Sequence, residues 1–174
     1  MPVRAPERIV TGRLEMRMFR LEDHEPYARM CADPGVMRYI GAGEVSTPDI
    51  SWRSIAGMLG HWDLLGYGQW AVVRRDDGVL LGRAGYFDPY GWPGFELGYL
   101  FAKEYWGKGY AREACTEALR IAVEELKKER VISLIRPQNA ASIKLAKSLG
   151  GEFEEEIEFL GGKAQVYLYR SGKN

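Results

Sequence analysis

Between Glu104 and Ala111 the chain reads Glu-Tyr-Trp-Gly-Lys-Gly-Tyr-Ala, with two glycines one residue apart where a strand-like segment gives way to a helix-like one. A glycine-rich strand-to-helix turn aims free backbone N–H groups and the positive end of a helix dipole at one point. Without a Cβ in the way, an anion can approach that point closely, and a phosphate group is its natural ligand. The same glycines would also serve a simple tight connection. Two nucleotide-binding patterns are not met. After Gly107 and Gly109 the third glycine of a dinucleotide fingerprint is replaced by Arg112, and Gly107-Lys108 is followed by Gly109 where a P-loop needs Ser or Thr. Neither an NAD nor an ATP site is supported.

The other reactive residue types are sparse. His24 and His61 are the only imidazoles, neither has a metal-like companion three or four residues away, and no GxSxG or HExxH pattern occurs. Zinc and serine-hydrolase chemistry are thereby unsupported. His61-Trp62 could line an acceptor pocket or simply pack beside an apolar patch. The acidic run Glu152, Glu154, Glu155, Glu156 and Glu158 could attract a cationic amine or form a solvated strand face. Cys31 and Cys115 are too few and too far apart for a disulfide framework, and read as reduced core thiols.

The elements that position these residues follow from periodicity and punctuation. Leu14, Met16 and Met18 alternate with Glu15, Arg17 and Phe19 as a first strand, and Glu22-Asp23 opens a helix to about Cys31 that Asp33-Pro34 stops. A second helical region lies between Thr47-Pro48 and Leu65. Strands over Trp70–Arg74 and Val79–Phe87 are joined at Asp77-Gly78, a pair suited to a tight hairpin, and a further strand, Phe95–Phe101, follows the Pro89–Gly94 turn. Ala111, Ala114, Cys115, Ala118, Ala122 and Leu126 form a helical stripe reaching Lys128, which makes this the longest expected helix. Val131–Ile135 is a nearly all-apolar run of the kind buried on both faces, expected to pair parallel to Phe95–Phe101 and ended by Pro137. Asn139 caps a helix over Ala140–Leu149, with Ser142 at its N3 position and Gly150 as its stop. Two final strands meet at Gly161-Gly162. The order is β-α-α-β-β-β-α-β-α-β-β.

With 174 residues, 46% of them hydrophobic and 28% charged, the chain can bury one core, and we read 1–174 as a single domain. Its 24 Lys+Arg balance 24 Asp+Glu, which argues against a broad positive field for nucleic acid or anionic membranes. The stretch from Leu64 to Val73, free of charged residues and His, is far short of the roughly 20 residues that cross a bilayer. The N-terminus has no apolar export segment, so a cytoplasmic location is expected.

Trp106-Gly107-Lys108-Gly109-Tyr110-Ala111 resembles the Q/R-x-x-G-x-G/A pyrophosphate loop of the GNAT superfamily of acetyl-CoA-dependent N-acetyltransferases, with Trp106 in place of the usual first Gln or Arg. The longer run from Glu96-Leu97-Gly98-Tyr99 through Ala114 is similar to the branch that contains ribosomal-protein N-terminal acetyltransferases. So are Thr11-Gly12-Arg13-Leu14, Asp33-Pro34-Gly35-Val36-Met37, the pair Asn139 and Ser142, and Leu149-Gly150. The resemblance implies an α+β GNAT acyl-CoA N-acyltransferase fold, a mixed sheet of about seven strands flanked by about four helices. It implies that Trp106, Gly107, Lys108, Gly109, Tyr110 and Ala111 hold the pyrophosphate. Asn139 and Ser142 would line the coenzyme A arm, although Asn139 is also the expected helix cap.

Such folds splay the strand matching Phe95–Phe101 from its neighbour, so backbone N–H groups around Tyr99, Leu100 and Phe101 would bind the pantetheine arm and the thioester carbonyl. Acetyl transfer needs a neutral amine, a base for its proton and donors for a developing oxyanion. Glu96 is the carboxylate on that strand and becomes the candidate base, directly or through water; a half-buried salt bridge is its other reading. Many superfamily members place a Tyr seven residues after the Asn to protonate the leaving thiolate. Here that position is Ala146, so Ser142 or water would take the role. The expected reaction is direct transfer from acetyl-CoA to a primary amine, with no metal, in a monomer or homodimer. The acceptor could be a protein N-terminus or a small amine such as a polyamine, amino acid or antibiotic, and fold resemblance does not choose. The competing class is a non-catalytic acyl-CoA-binding sensor or docking module, which Ala146 keeps open.

Overall fold

A computed structural model describes residues 3–170. Its elements are β1 (Arg8–Val10), β2 (Leu14–Arg17), α1 (His24–Cys31), α2 (Pro34–Met37), α3 (Pro48–Leu65), β3 (Gln69–Arg74), β4 (Leu80–Phe87), β5 (Glu96–Phe101), α4 (Tyr110–Glu124), β6 (Arg130–Ile135), α5 (Ala140–Ser148), β7 (Glu152–Phe159) and β8 (Gly162–Arg170). The strands form one sheet in the order β1-β2-β3-β4-β5-β6-β8-β7. All neighbours are antiparallel except β5 and β6, the parallel pair expected from sequence. The α+β class and the mixed sheet stand. No helix among the described residues is long and apolar enough to cross a membrane.

Among the described residues the strand count is eight, one more than expected, because β1 has only three residues and carries no periodicity to read. It exists by pairing with β2, Arg8 opposite Arg17. A one-turn α2 is also added. Asp33-Pro34 ends α1 as expected but at once starts a new helix, since Asp33 Oδ1 accepts from the Gly35 N–H at 2.7 Å and Pro34 sits at the first position. The helix expected to be longest stops early. It ends at Glu124 after 15 residues, whereas α3 has 18. Lys127 takes a left-handed φ of 55°, and the Lys128 N–H folds back to Ala122 O at 2.9 Å. A lysine there gives none of the glycine signal that usually marks such a stop. The last hairpin turns on Leu160 and Gly161, both at positive φ, so Gly162 already belongs to β8.

Cores on the two sheet faces hold the layers. One face buries Met16, Trp70, Leu81, Tyr86, Leu97, Val131 and Tyr167 against the Ala114, Cys115, Ala118, Ile121 and Ala122 stripe of α4. The other packs Ala71, Val73, Leu80 and Leu100 against Tyr27, Met30 and Cys31 of α1, Val36 and Met37 of α2, and Ile55 and Met58 of α3. Both cysteines are buried free thiols.

The consequence for the site lies at β5. Its ladder with β6 holds at a single register pair, Glu96 opposite Ile132, with the Ile132 N–H donating to Phe95 O at 3.0 Å and Ser133 Oγ to Leu97 O at 2.7 Å. Beyond that point the two strands part.

Candidate active site

A cleft of about 900 Å³ opens where β5 leaves β6. Residues directly opposite in a ladder share a sheet face. Gln69, Arg83, Phe87 and Glu96 therefore enter the cleft from the face covered by α1 and α3, while Tyr99, Ser133 and, through α5, Asn139 and Ser142 enter from the α4 side. The cleft thus reaches through the sheet. Four of the residues expected to act, Glu96, Tyr99, Asn139 and Ser142, line this one space.

Glu96 Oε2 accepts a hydrogen bond from Trp92 Nε1 at 2.7 Å. Enclosure by protein pushes its carboxyl up from 4.5 to about 7, against the opposing pull of the Trp92 and Leu134 N–H groups and the charge of Arg83. A carboxyl poised near neutrality can take a proton and give it up again at physiological pH. Arg83 is held from two sides, with Nη1 donating to Gln69 Oε1 at 2.5 Å and Nε to the Tyr27 hydroxyl at 3.1 Å. Gln69 in turn donates through Nε2 to Gly85 O at 3.3 Å.

His61 is not arranged as a base. Its Nε2 accepts from the Asp88 N–H at 3.1 Å, so the proton sits on Nδ1, which donates to Tyr67 O at 2.8 Å. Both ring nitrogens are taken by backbone while the ring stacks on Phe87. Asn139 performs its capping role, its Oδ1 accepting from the Ser142 N–H at 3.2 Å. Tyr99 places its hydroxyl 3.4 Å from Ser142 O, and burial pushes that hydroxyl far above its usual range, so it keeps its proton. Ala146 is fully buried.

The backbone of β5 divides by alternation. Ala102 N–H donates to Leu81 O at 3.0 Å, which makes Leu100 and Arg83 a hydrogen-bonded pair two positions further along the same register. Leu100 thus spends its N–H on β4 and its side chain on the core beside α1, and it does not offer the free donor expected of it. Tyr99 and Phe101 present their N–H groups to the parted edge instead. The Phe101 carbonyl is taken by Trp106 Nε1 at 2.8 Å, an indole that ties the turn back to the strand while staying 49% exposed.

Outside the cleft, past the C-terminal end of β5, lies the glycine turn. Gly107 and Gly109 hold φ of 73° and 82°, and Gly109 is the cap of α4. Its carbonyl accepts from the Glu113 N–H at 3.0 Å, and the N–H groups of Tyr110, Ala111 and Arg112 in the first turn are left for another acceptor. Cations surround the turn. Arg13 donates through Nη1 to Lys108 O at 2.9 Å and lies 4.5 Å over the Tyr110 ring, while Arg74 and Lys108 lie over Tyr105 at 5.6 and 5.7 Å. Glu113 fixes Arg13 at 2.7 Å. Left-handed glycines, unpaired N–H groups and clustered cations together suit a pyrophosphate.

Arg13, Arg74, Gln69, Arg83 and Trp92 were not singled out in the sequence. Arg83 did carry a signal, as the one charge inside the Leu80–Phe87 run. Gln69 and Arg74 sit at strand ends, where polar residues are ordinary. The acidic run proves to be the outer edge strand β7, with Glu154 paired to Arg130 at 2.6 Å and Glu156 to Lys163 at 2.8 Å, as a guarded sheet edge requires. No group of three or more His, Cys, Asp or Glu among the described residues is placed to hold a metal ion.

A mixed sheet whose central parallel pair parts over a capped glycine turn defines an acyl-CoA-type N-acetyltransferase, and sequence comparison agrees. Residues 13–152 match the acetyltransferase (GNAT) domain family, and the chain belongs to it. It is 29% identical over 142 residues, 82% of this chain and 81% of the relative, to the uncharacterized N-acetyltransferase YnaD of Bacillus subtilis. A crystal structure of an acetyltransferase from Agrobacterium tumefaciens superposes with a TM-score of 0.86 at 26% identity, covering 96% of each chain. RimL, a ribosomal α-N-protein acetyltransferase solved in complex with coenzyme A, shares the fold at 13% identity with a TM-score of 0.78, over 93% of this chain and 96% of that one. The chain is an N-acetyltransferase, from a family that uses acetyl-CoA and acts on amine acceptors.

Proposed function

We propose that this protein moves an acetyl group from acetyl-CoA directly to a primary amine in a ternary complex, with Glu96 as the base. The observation that carries the reading is a protein-enclosed carboxyl, pushed up to about 7, at the point where β5 and β6 part. Acetyl-CoA supplies the activated thioester. Trp106, Gly107, Lys108, Gly109, Tyr110 and Ala111, with Arg13 beside them, hold its pyrophosphate. The N–H groups of Tyr99 and Phe101 receive the pantetheine arm, and Asn139 and Ser142 flank it from α5. Glu96 takes the proton that the attacking amine must lose, and Ser142 or water returns one to the leaving sulfur in the place of the tyrosine absent at Ala146. One domain spanning 1–174 contains the whole site.

Release of free thiol from acetyl-CoA across a panel of amines identifies a working acceptor. With that acceptor, Glu96→Gln keeps size and hydrogen bonding but removes the base, so kcat falls about 10²–10⁴-fold while acetyl-CoA affinity holds. The wild-type rate should rise with pH through about 7 as Glu96 ionises, and this step should vanish in the variant. Near wild-type turnover of the variant at neutral pH removes Glu96 from the role. Gly109→Val tests the turn separately. A β-branched residue strains a φ of 82° and brings its Cβ within 3.3 Å of Arg13 Nη2, so acetyl-CoA affinity should drop in calorimetry.

A further inference from the structure

Arg83 is a half-buried cation whose needs the protein does not meet. Among the described residues no carboxylate lies within 4 Å of it, and its Nη2 makes no hydrogen bond. Its two partners, the Gln69 amide and the Tyr27 hydroxyl, are neutral, so they fix the guanidinium without neutralising it. A partly desolvated positive charge of this kind is costly unless an anion joins it.

The geometry around it says where that anion would sit. On the cleft face of the β4–β5 ladder the paired positions run Arg83–Leu100, Gly85–Gly98 and Phe87–Glu96. The middle pair has no side chains of its own, and this glycine floor between the arginine and the candidate base is covered by the buried Gln69 amide, whose Nε2 donates to Gly85 O at 3.3 Å. That floor cannot be filled cheaply. A Cβ on Gly98 would stand 3.0 Å from Gln69 Nε2 and 4.0 Å from Glu96 Oε1, and one on Gly85 would meet Gly68 O at 2.3 Å. Past Glu96 the walls turn aromatic, with Phe87, Trp92 and Phe159 in successive edge-to-face contacts at 4.8 Å.

Charge points the same way. The cations lining the cleft are Arg83 and Arg136, and the carboxylates are Glu96 and Asp88. Arg136 spends its donors on Gly41, Phe159, Leu160 and Lys163 carbonyls, and Asp88 accepts from the Tyr67 hydroxyl at 3.1 Å. That leaves Arg83 as the lining cation with a donor to spare, while Asp88, like Arg83, meets only neutral partners.

We propose that the acceptor is a primary amine that also bears a carboxylate and an apolar, preferably aromatic, group, with the unpaired Nη2 of Arg83 binding the carboxylate beside the Gln69 amide while Glu96 faces the amine. This rests on the proposed role of Glu96. Arg83 is a specificity residue: its pairing with the carboxylate sets which amine is presented.

The test needs no turnover. Binding of 3-phenylpropionate and of 3-phenylpropionamide to the full chain is measured by calorimetry, for wild type, Arg83→Gln and Glu96→Gln. A charge-assisted contact should favour the carboxylate by about tenfold or more in wild type. That preference should disappear in Arg83→Gln and survive in Glu96→Gln. Equal affinities in wild type, binding of neither probe, or a preference that persists in Arg83→Gln overturns the proposal. Since wild type alone can refute it, a variant that misfolds does not shield it. Loss of turnover in Glu96→Gln reports on the base alone, so the failure of one assignment is distinguishable from that of the other. In the amine panel, L-phenylalanine should be acetylated faster than phenethylamine or spermidine, and the reverse order counts against the assignment.

Discussion

Two arginine neighbourhoods in this molecule use the same chemistry to opposite ends. Arg17 and Asp23 form a closed pair in the interior near the start of α1, with Nη1 to Oδ2 at 2.7 Å and Nη2 to Oδ1 at 2.9 Å, and Asp23 also accepts the Arg20 N–H at 2.7 Å. Both terminal nitrogens of Arg17 and both oxygens of Asp23 are engaged there, and only 11% of the arginine side chain and 5% of the aspartate side chain stay exposed. Arg83 and Glu96 lie in one cleft yet are kept apart by Gln69 and a glycine floor, each with only neutral partners. A closed pair spends its electrostatics on the fold. An open pair leaves its electrostatics for whatever enters the cleft.

The sharpest way to test that division is to break the closed pair. Asp23→Asn strands the Arg17 guanidinium in the interior, and removing one partner of a buried pair costs about 3–5 kcal/mol. The melting temperature should drop steeply, while kcat per folded molecule stays at the wild-type level. A stability change near zero would show that water already screens the pair.

The open pair should act on stability through pH instead. Glu96 is raised from 4.5 to about 7 in the folded state, so the fold binds a proton that the unfolded chain gives up. Its contribution is fully present below about 4.5 and is lost as pH rises through about 7. The whole swing is at most about 3 kcal/mol, smaller than the break above because the cleft admits water. Thermal melts between pH 5 and 8 should therefore slope downward in wild type and flatten in Glu96→Gln. An unchanged slope in the variant would mean that Glu96 titrates normally.

The same contrast explains what the sequence could disclose. The glycine turn, the Asn139 cap and the parallel pairing of Phe95–Phe101 with Val131–Ile135 are local patterns, and residue type and spacing alone exposed them. Glu96 stood out as the carboxylate on the strand that the family resemblance assigns to the thioester. What the sequence hid was non-local. Leu100 and Phe101 look alike in a strand, and only the register set by Ala102 on Leu81 commits the first to β4 and frees the second. Arg83 needs Tyr27, 56 residues away, before it reads as held in place. Arg13 reaches the loop across 95 residues. The left-handed Lys127 and Leu160 carried no glycine signal, so a helix end and a turn were each misplaced.

The finest test converts the open arrangement into the closed one. Gln69→Glu puts a carboxylate where Gln69 Oε1 already receives Arg83 Nη1 at 2.5 Å, so the guanidinium gains an internal anion much as Arg17 has one. The gain is offset where the new carboxylate faces Gly85 O, which now accepts from Nε2 at 3.3 Å. Net stability should shift by only about 1 kcal/mol in either direction, the small balance typical of a partly exposed pair. Binding should respond more clearly. With Arg83 neutralised from within, the preference for 3-phenylpropionate over its amide should shrink toward one, although Arg83 is still present and the fold is intact. If the preference survives Gln69→Glu, the guanidinium's freedom from an internal carboxylate is not what reserves it for a ligand, and the distinction between the two arginine neighbourhoods loses its meaning.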